Sequence, residues 1–164
     1  MIGWFMILEK HTEVFVFAFW DFRPGASVLC VEEGTDAFSS YLAKKGLAVS
    51  SASIRRSASD KYADENEGAF DYIVAAGILE RCFMPELVLR QWCRLLKDGG
   101  TLLLATRNRL GVQYFCGDRD PFTRNVFDSI ENYRRIKDPA PKAMGGKLYA
   151  RAEIETMLEG AHFV

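Results

Sequence analysis

Phe70-Asp71-Tyr72-Ile73-Val74-Ala75-Ala76-Gly77-Ile78-Leu79-Glu80, followed by Leu95-Leu96-Lys97-Asp98-Gly99-Gly100-Thr101-Leu102-Leu103-Leu104-Ala105-Thr106, is the stretch whose reading decides the fold. Phe70 to Ala76 is a short apolar run that reads as a buried strand. Pro85 suits the first turn of a helix, where its missing N–H costs nothing. Leu87, Val88, Trp92, Leu95 and Leu96 then form a core stripe, and Gly99 stops the helix. Thr101 to Thr106 is a continuous apolar run, as in a sheet covered on both faces. The order is strand, helix, Gly-Gly turn, strand.

Upstream the alternation continues. Ser27 to Glu32 reads as a first buried strand, preceded by a turn at Arg23-Pro24-Gly25-Ala26. Thr35 or Asp36 can cap a helix over 37–45, with Phe38, Tyr41 and Leu42 on one face. Gly46 ends it as a C′ glycine. Leu47 to Ile54 is a second strand, weakly apolar and serine-rich. Ser57 to Gly68 reads as loop or short helix. Val14 to Trp20 is apolar on every side, and its periodicity fits a buried helix or a buried strand equally.

Downstream, 110–135 is aromatic and charged without clean periodicity. Residues 137–146 hold two prolines and two glycines, as a linker or loop would. Ala152 to Glu159 reads as a short amphipathic helix. The expected organisation is one domain over 1–164, with an N-terminal apolar segment (1–23), a core (24–108), a lid or insert (109–146) and a C-terminal helix (147–164). Strand–helix alternation of this kind predicts an α/β fold, a three-layer sandwich around a parallel sheet. Ligands of such sheets bind beyond the carboxyl ends of the strands. That rule brings Glu32–Asp36, Ser53, Ala76–Glu80 and Thr106–Arg109 around one crevice.

Composition narrows the function. The chain has 164 residues, 49% hydrophobic and 26% charged, with a net charge of −1. This is ordinary globular composition, and it gives no electrostatic case for a nucleic-acid partner. Cys30, Cys82, Cys93 and Cys116 show no C-x-x-C pairing and no zinc spacing. They read as reduced, mostly buried thiols. The apolar runs Ile2–Leu8 and Val14–Trp20 fall short of the ~20 residues of a membrane span, and neither has the pattern of a signal peptide. The expected location is the cytoplasm.

The strand order and the Gly-Gly turn resemble the second half of a class I S-adenosylmethionine (SAM)-dependent methyltransferase. The resemblance covers roughly Pro24 to the end. It implies a Rossmann-like, mostly parallel sheet with a glycine-rich loop after the first strand. Here that stretch is Val28-Leu29-Cys30-Val31-Glu32-Glu33-Gly34-Thr35-Asp36. Gly34 keeps one of three loop glycines, Glu32 and Asp36 replace the other two, and Cys30 stands where the family has an acid. Ser53 matches the acid that holds the ribose hydroxyls, though a serine can hold only one of them. The resemblance thus assigns the cofactor to Glu32, Glu33, Gly34, Thr35, Asp36, Ser53, Asp60, Ala76 and Gly77, with Asp60 or Asp64 near the adenine. Glu80 is a candidate acid or base, or a cap.

Two lengths depart from the family. The segment 55–69 is too short for a helix, a strand and both connections, so the edge strand is expected to be absent. The final antiparallel hairpin is expected to be absent as well. A trimmed core of family order 2-1-4-5 remains. Its Thr101 strand would be bare-edged unless covered by Val14–Trp20, by a helix, or by a second copy or partner protein.

Thr106-Arg107-Asn108-Arg109-Leu110-Gly111 through Phe127-Asp128-Ser129-Ile130-Glu131-Asn132-Tyr133 is similar to a methyltransferase subgroup associated with cell-surface glycan biosynthesis. That likeness implies a lid contacting a sugar or other small acceptor through Asn108, Arg119, Glu131 and Tyr133, with Glu80, Asp118 and Asp120 as candidate bases. The expectation is a SAM-dependent methyltransferase-like protein weakened in SAM binding. The alternative is a degenerate, non-catalytic methyltransferase-like domain serving as an interaction module, or a gene fragment. A nucleotide-binding domain of another type has neither a Walker loop nor G-x-G-x-x-G to support it.

Overall fold

The computed structural model describes residues 4–7, 17, 19–34 and 37–163, with the backbone alone at 4–7 and 37. Strand β1 is Trp4–Ile7, β2 is Ser27–Val31 and helix α1 is Ala37–Lys44. Strand β3 (Ala48–Ala52) leads through the short helices α2 (Ile54–Ser57) and α3 (Asp60–Glu65) to β4 (Phe70–Ala76). A 3-10 turn at Leu79–Arg81 precedes helix α4 (Pro85–Leu95), which runs directly into β5 (Leu96–Thr106). Short helices α5 (Val112–Phe115) and α6 (Pro141–Met144) lie in the insert, and α7 (Arg151–Gly160) closes the chain.

The sheet order is β1-β5-β4-β2-β3, and every pairing is parallel. The four strands β3, β2, β4 and β5 form the trimmed core expected from the sequence, and no strand lies between β3 and β4. Each central strand alternates between two cores. Leu29, Val31, Ile73, Ala75, Leu102 and Leu104 face α3, α4 and α7. Val28, Cys30, Tyr72, Val74, Leu103 and Ala105 face α1 together with Phe17 and Phe22. Both faces are therefore dry, which is why these strands read as unbroken apolar runs.

The structure bears on four local expectations. The β5 edge is not bare, because Trp4–Ile7 pairs with Leu103–Thr106 in parallel. Residues 8–26 exceed the ~10–12 that a parallel crossover requires, so the first apolar run supplies the cover. Of Val14–Trp20, expected as helix or strand, only Phe17, Phe19 and Trp20 are described, and the choice lies outside the described residues. Leu87 is 41% exposed, while Leu89 is fully buried in its stead; the helix turns Val88, Leu89, Trp92 and Leu95 inward. Segment 57–68, expected as loop or short helix, is mostly short helix: Ser53 and Ser59 cap α2 and α3 by accepting from the amides of Arg56 and Tyr62.

Strand β5 also begins earlier than its apolar run. Leu96 pairs with Phe70, the ladder breaks, and Thr101 pairs with Tyr72. Lys97–Gly100 bulges out between these pairs, and Gly99 takes φ +73, a conformation that favours glycine. Trp92 is the largest fully buried side chain, and its indole N–H donates to Ser57 Oγ at 3.1 Å. A polar handle in a dry core is thereby satisfied.

Candidate functional site

The chain passes from β2 to β3 on one side and from β4 to β5 on the other, so the strand order reverses between β2 and β4. The carboxyl ends of these two strands flank the crevice where ligands of open parallel sheets bind. The two sides are built differently.

On the β2–β3 side the acids turn inward onto helix starts. Glu32 Oε1 accepts from the Ser39 amide at 3.0 Å, and Oε2 accepts from the Ser39 hydroxyl at 3.1 Å. Its carboxylate therefore sits on the first turn of α1, where a negative charge is favourable. Glu33 Oε1 accepts from the Ile54 amide at the start of α2, at 3.0 Å. Ser53 Oγ is the N-cap of that same helix. Gly34 has φ +88 with open space around its Cα. Thr35 and Asp36 lie outside the described residues. Cys30 is fully buried, and burial followed by the Glu32 charge pushes its thiol up to about 12. It remains a neutral core group.

Asp60 and Asp64 do not face this crevice. Asp60 Oδ1 accepts from Gln91 Nε2 at 2.7 Å, and Asp64 pairs with Arg94 at 2.7 Å. Helix α3 packs on α4, and the two carboxylates bond to that helix.

On the β4–β5 side there is space. A cavity of about 370 Å³ is lined by Gly77, Glu80, Arg81, Arg107, Pro121, Phe122, Arg124 and Gly145. Ala76 is the half-buried last residue of β4, and Gly77 leaves the sheet at φ +67 with its amide donating to the Ala105 carbonyl at 2.9 Å. Glu80 is 3% exposed, and its Oε2 accepts from the Thr106 hydroxyl at 2.7 Å. Burial raises its pKa, opposed by the Thr106 bond, by backbone amides and by the Arg107 charge. A buried carboxyl whose pKa burial raises, beside an open cavity, is a candidate acid or base.

The insert closes over this side as a tightly bonded loop. Asp120 is 1% exposed, and its Oδ1 accepts from the amides of Phe122 and Thr123. Its Oδ2 accepts from the Tyr133 hydroxyl at 2.9 Å, while the Tyr133 oxygen accepts from the Leu148 amide at 3.0 Å. Burial, foremost, raises the Tyr133 pKa. Every polar atom of these two side chains is thus engaged in fixing the insert. Arg109 fastens the same segment, bonding Glu153 of α7 at 2.7 Å and the carbonyls of Ser129 and Ile130.

The remaining insert candidates also have local partners. Asn108 Oδ1 accepts from the Leu110 amide, and Arg119 donates to the Arg124 carbonyl at 2.9 Å. Glu131 pairs with Arg135 at 2.7 Å. Asp118 is half-buried, its amide bonded to the Gln113 carbonyl. Of the residues singled out from sequence, Gly77 and Glu80 share the cavity. Arg107, which lines it with them, falls in the Thr106–Arg109 stretch that the strand-end rule placed at the crevice, whereas Arg81, Arg124 and Phe122 were not among those candidates. Arg107 had a legible signal, as the first residue beyond a buried strand. Arg124 had none, because the fold of the insert brings it there.

A cofactor with a carboxylate, a ribose and an adenine fits these two sides unequally. Gly34 and Gly77 permit close backbone approach. The Ser39 and Ile54 amides already hold carboxylates of the chain, and Ser53 and Asp60 are engaged elsewhere. At the β4 end the cavity is open, and at the β2 end Glu32, Glu33 and Ser53 hold bonds within the chain.

A family model described as a methyltransferase domain matches residues 10–164. No curated protein sequence matches the chain. Among solved structures, a SAM-dependent methyltransferase from Thermotoga maritima aligns with a TM-score of 0.53 and 18% identity, covering 85% of this chain and 64% of its own. The CurJ carbon methyltransferase aligns at TM-score 0.51 and 14% identity, over 88% of this chain and 43% of its own. A Rhodobacter sphaeroides structure described as a candidate zinc-dependent alcohol dehydrogenase aligns at TM-score 0.51 and 13% identity, over 85% and 74%. At such identities the likeness is one of fold, which these differently described proteins share. No helix among the described residues is long and apolar enough to cross a membrane.

Proposed function

This chain belongs to the methyltransferase-domain family, and from that premise we propose that it binds SAM weakly and carries out methyl transfer to a small acceptor. When bound, SAM supplies an electrophilic methyl group on a sulfonium sulfur. The chain's own part is to orient the acceptor, exclude water, and remove a proton where the acceptor is a hydroxyl. The observation that carries the reading is the cavity at the ends of β4 and β5, where the Gly77 backbone and the buried Glu80 carboxyl meet. Glu80 is the candidate base, held by Thr106. Asp118 remains a secondary candidate, and Asp120 acts through the loop it fixes. A cytoplasmic location belongs to the same reading.

The Asn108–Tyr133 pattern supports a sugar or another hydroxyl-bearing acceptor under the insert. The weakness toward SAM rests on Glu32 and Glu33, whose carboxylates occupy the helix starts that a ligand carboxylate would use. This second observation also favours the alternative, a non-catalytic domain that keeps the fold and serves as an interaction module.

Isothermal titration of SAM and S-adenosylhomocysteine into the full chain tests both. The expected result is binding in the high-micromolar range or weaker, tightened by Glu32→Gly. Low-micromolar affinity in the unaltered chain would overturn the proposed weakness. No heat with either ligand, before or after Glu32→Gly, would overturn methyl transfer and leave the non-catalytic reading.

A further inference from the structure

The cavity beside Gly77 has a charge that the methyltransferase fold does not require. Arg81, Arg107 and Arg124 line it against a single carboxyl, Glu80. The balance is positive whether Glu80 is ionised or neutral. The three arginines line it from different parts of the fold: the turn after β4, the end of β5, and the insert.

Arg124 is held there at some conformational expense. Its φ is +65, in the left-handed region that a long side chain seldom adopts. The Arg124 amide donates to the Asp120 carbonyl at 3.0 Å, and the Arg119 guanidinium donates to the Arg124 carbonyl at 2.9 Å. The Asp120–Tyr133 cluster thus fixes the backbone from which Arg124 reaches the cavity. Phe122 stands on the same loop as an apolar wall. The aromatic side chain packs so closely on Gly146 that a Cβ added there would lie 2.1 Å from its ring.

We propose that this cavity is an anion subsite, and that the acceptor it holds is a small molecule carrying a phosphate or carboxylate group. Guanidinium forks match the oxygens of both groups and bind them through charge-assisted hydrogen bonds. A volume of about 370 Å³ suits a ligand of monosaccharide-phosphate size. The role of acceptor rests on the methyltransferase reading above. The anion subsite rests on the arginines alone.

The test uses the full chain in low salt, titrated with glucose 6-phosphate, glucuronate and glucose as probes. Glucose 6-phosphate or glucuronate, or both, should bind at least about ten-fold more tightly than glucose, since one charge-assisted guanidinium hydrogen bond is worth about ten-fold in affinity. Binding by only one of the two anions identifies the group preferred. Arg81→Gln and Arg124→Gln should each weaken the anion about ten-fold with the melting temperature unchanged, and added salt should weaken it further. Equal affinity for glucose and both anions, or no anion binding at all, would overturn the subsite. The unaltered chain decides this even if a variant fails to fold.

Competition separates this inference from the function it builds on. Anion binding without any SAM binding would keep the subsite and remove its role as an acceptor site. Displacement of S-adenosylhomocysteine by the anions would show that the arginines hold the cofactor's own carboxylate, which would overturn the acceptor assignment. Methyl transfer confined to uncharged acceptors would overturn it as well.

Discussion

The two halves of the crevice share one sheet and one topology, yet they spend their polar groups differently. At the ends of β2 and β3, Glu32, Glu33 and Ser53 all serve helix N-termini. At the ends of β4 and β5, Glu80 and three arginines surround open space. In the first half the polar side chains bond to the chain itself, and in the second they line a cavity beneath a loop. The contrast shows that a parallel α/β sheet guarantees a crevice but not a ligand. A helix start will take a carboxylate from whatever source is nearest, and here the chain itself supplies one.

The largest expected effect lies in the open half. Glu80→Gln keeps a partner for Thr106 but removes the base, so methyl transfer to a hydroxyl acceptor should fall by about 10²-fold or more. Affinity for S-adenosylhomocysteine should stay unchanged. Burial raises the Glu80 pKa, and the ionised form is the working base. The rate should therefore rise with pH above the ordinary carboxylate range. Thr106→Val removes a hydrogen bond to the ionised form, so it should push that rise to still higher pH. A pH–rate profile unmoved by Thr106→Val would break the assignment of Glu80 to the open half.

Next in size is the loop that keeps this half open. Tyr133→Phe leaves the buried Asp120 carboxylate and the Leu148 amide each one partner short. The cost should be about 1–3 kcal/mol in urea unfolding. Weaker anion binding should accompany it, because Arg124 loses its fixed position. Unchanged stability would show that water replaces the hydroxyl and that the Asp120–Tyr133 bond is dispensable.

In the closed half, Glu32→Gly should cost about 1 kcal/mol by removing an acceptor from the first turn of α1. It should also tighten S-adenosylhomocysteine. A loss of stability without a gain in affinity would place the obstruction elsewhere, in the trimmed sheet rather than in the acid.

The smallest effect on the site comes from the far end of the strands and serves as a control. Asp71 accepts from Lys97, from the Ser27 amide and hydroxyl, and from Arg23. These bonds, Lys97 foremost, hold its carboxyl well below the usual range despite burial. A depressed carboxyl stabilises the fold fully above its unfolded pKa of about 3.9, and that contribution is lost as pH falls below it. Asp71→Asn should flatten the acid limb of the stability profile and leave ligand binding at both halves unchanged. An effect on binding would mean that the two ends of the sheet are coupled.

Much of this molecule could be read along the chain. Apolar runs bounded by Gly and Pro located β2, β4 and β5, because strands buried on both faces have no polar positions to conceal them. Pro85 marked the start of α4. The strand-end rule pointed to Gly77 and Glu80. Other features had no local signature. Leu87 and Leu89 differ only in which way one helix turns. The use of Trp4–Ile7 as an edge strand depends on β5, remote in sequence. Asp60, Asp120 and Tyr133 looked equally available on paper, and only packing shows each carboxylate and hydroxyl already engaged.

By itself, the order of residues determined a parallel α/β fold and the alternation of its strands and helices, since burial and backbone hydrogen bonding act through short-range pattern. Tertiary structure alone decided which polar groups were consumed and which stayed open to a ligand. A donor bonded within the chain is one that a ligand must displace, and the partners that Glu33, Glu80 and Asp60 meet lie 21, 26 and 31 residues away along the chain.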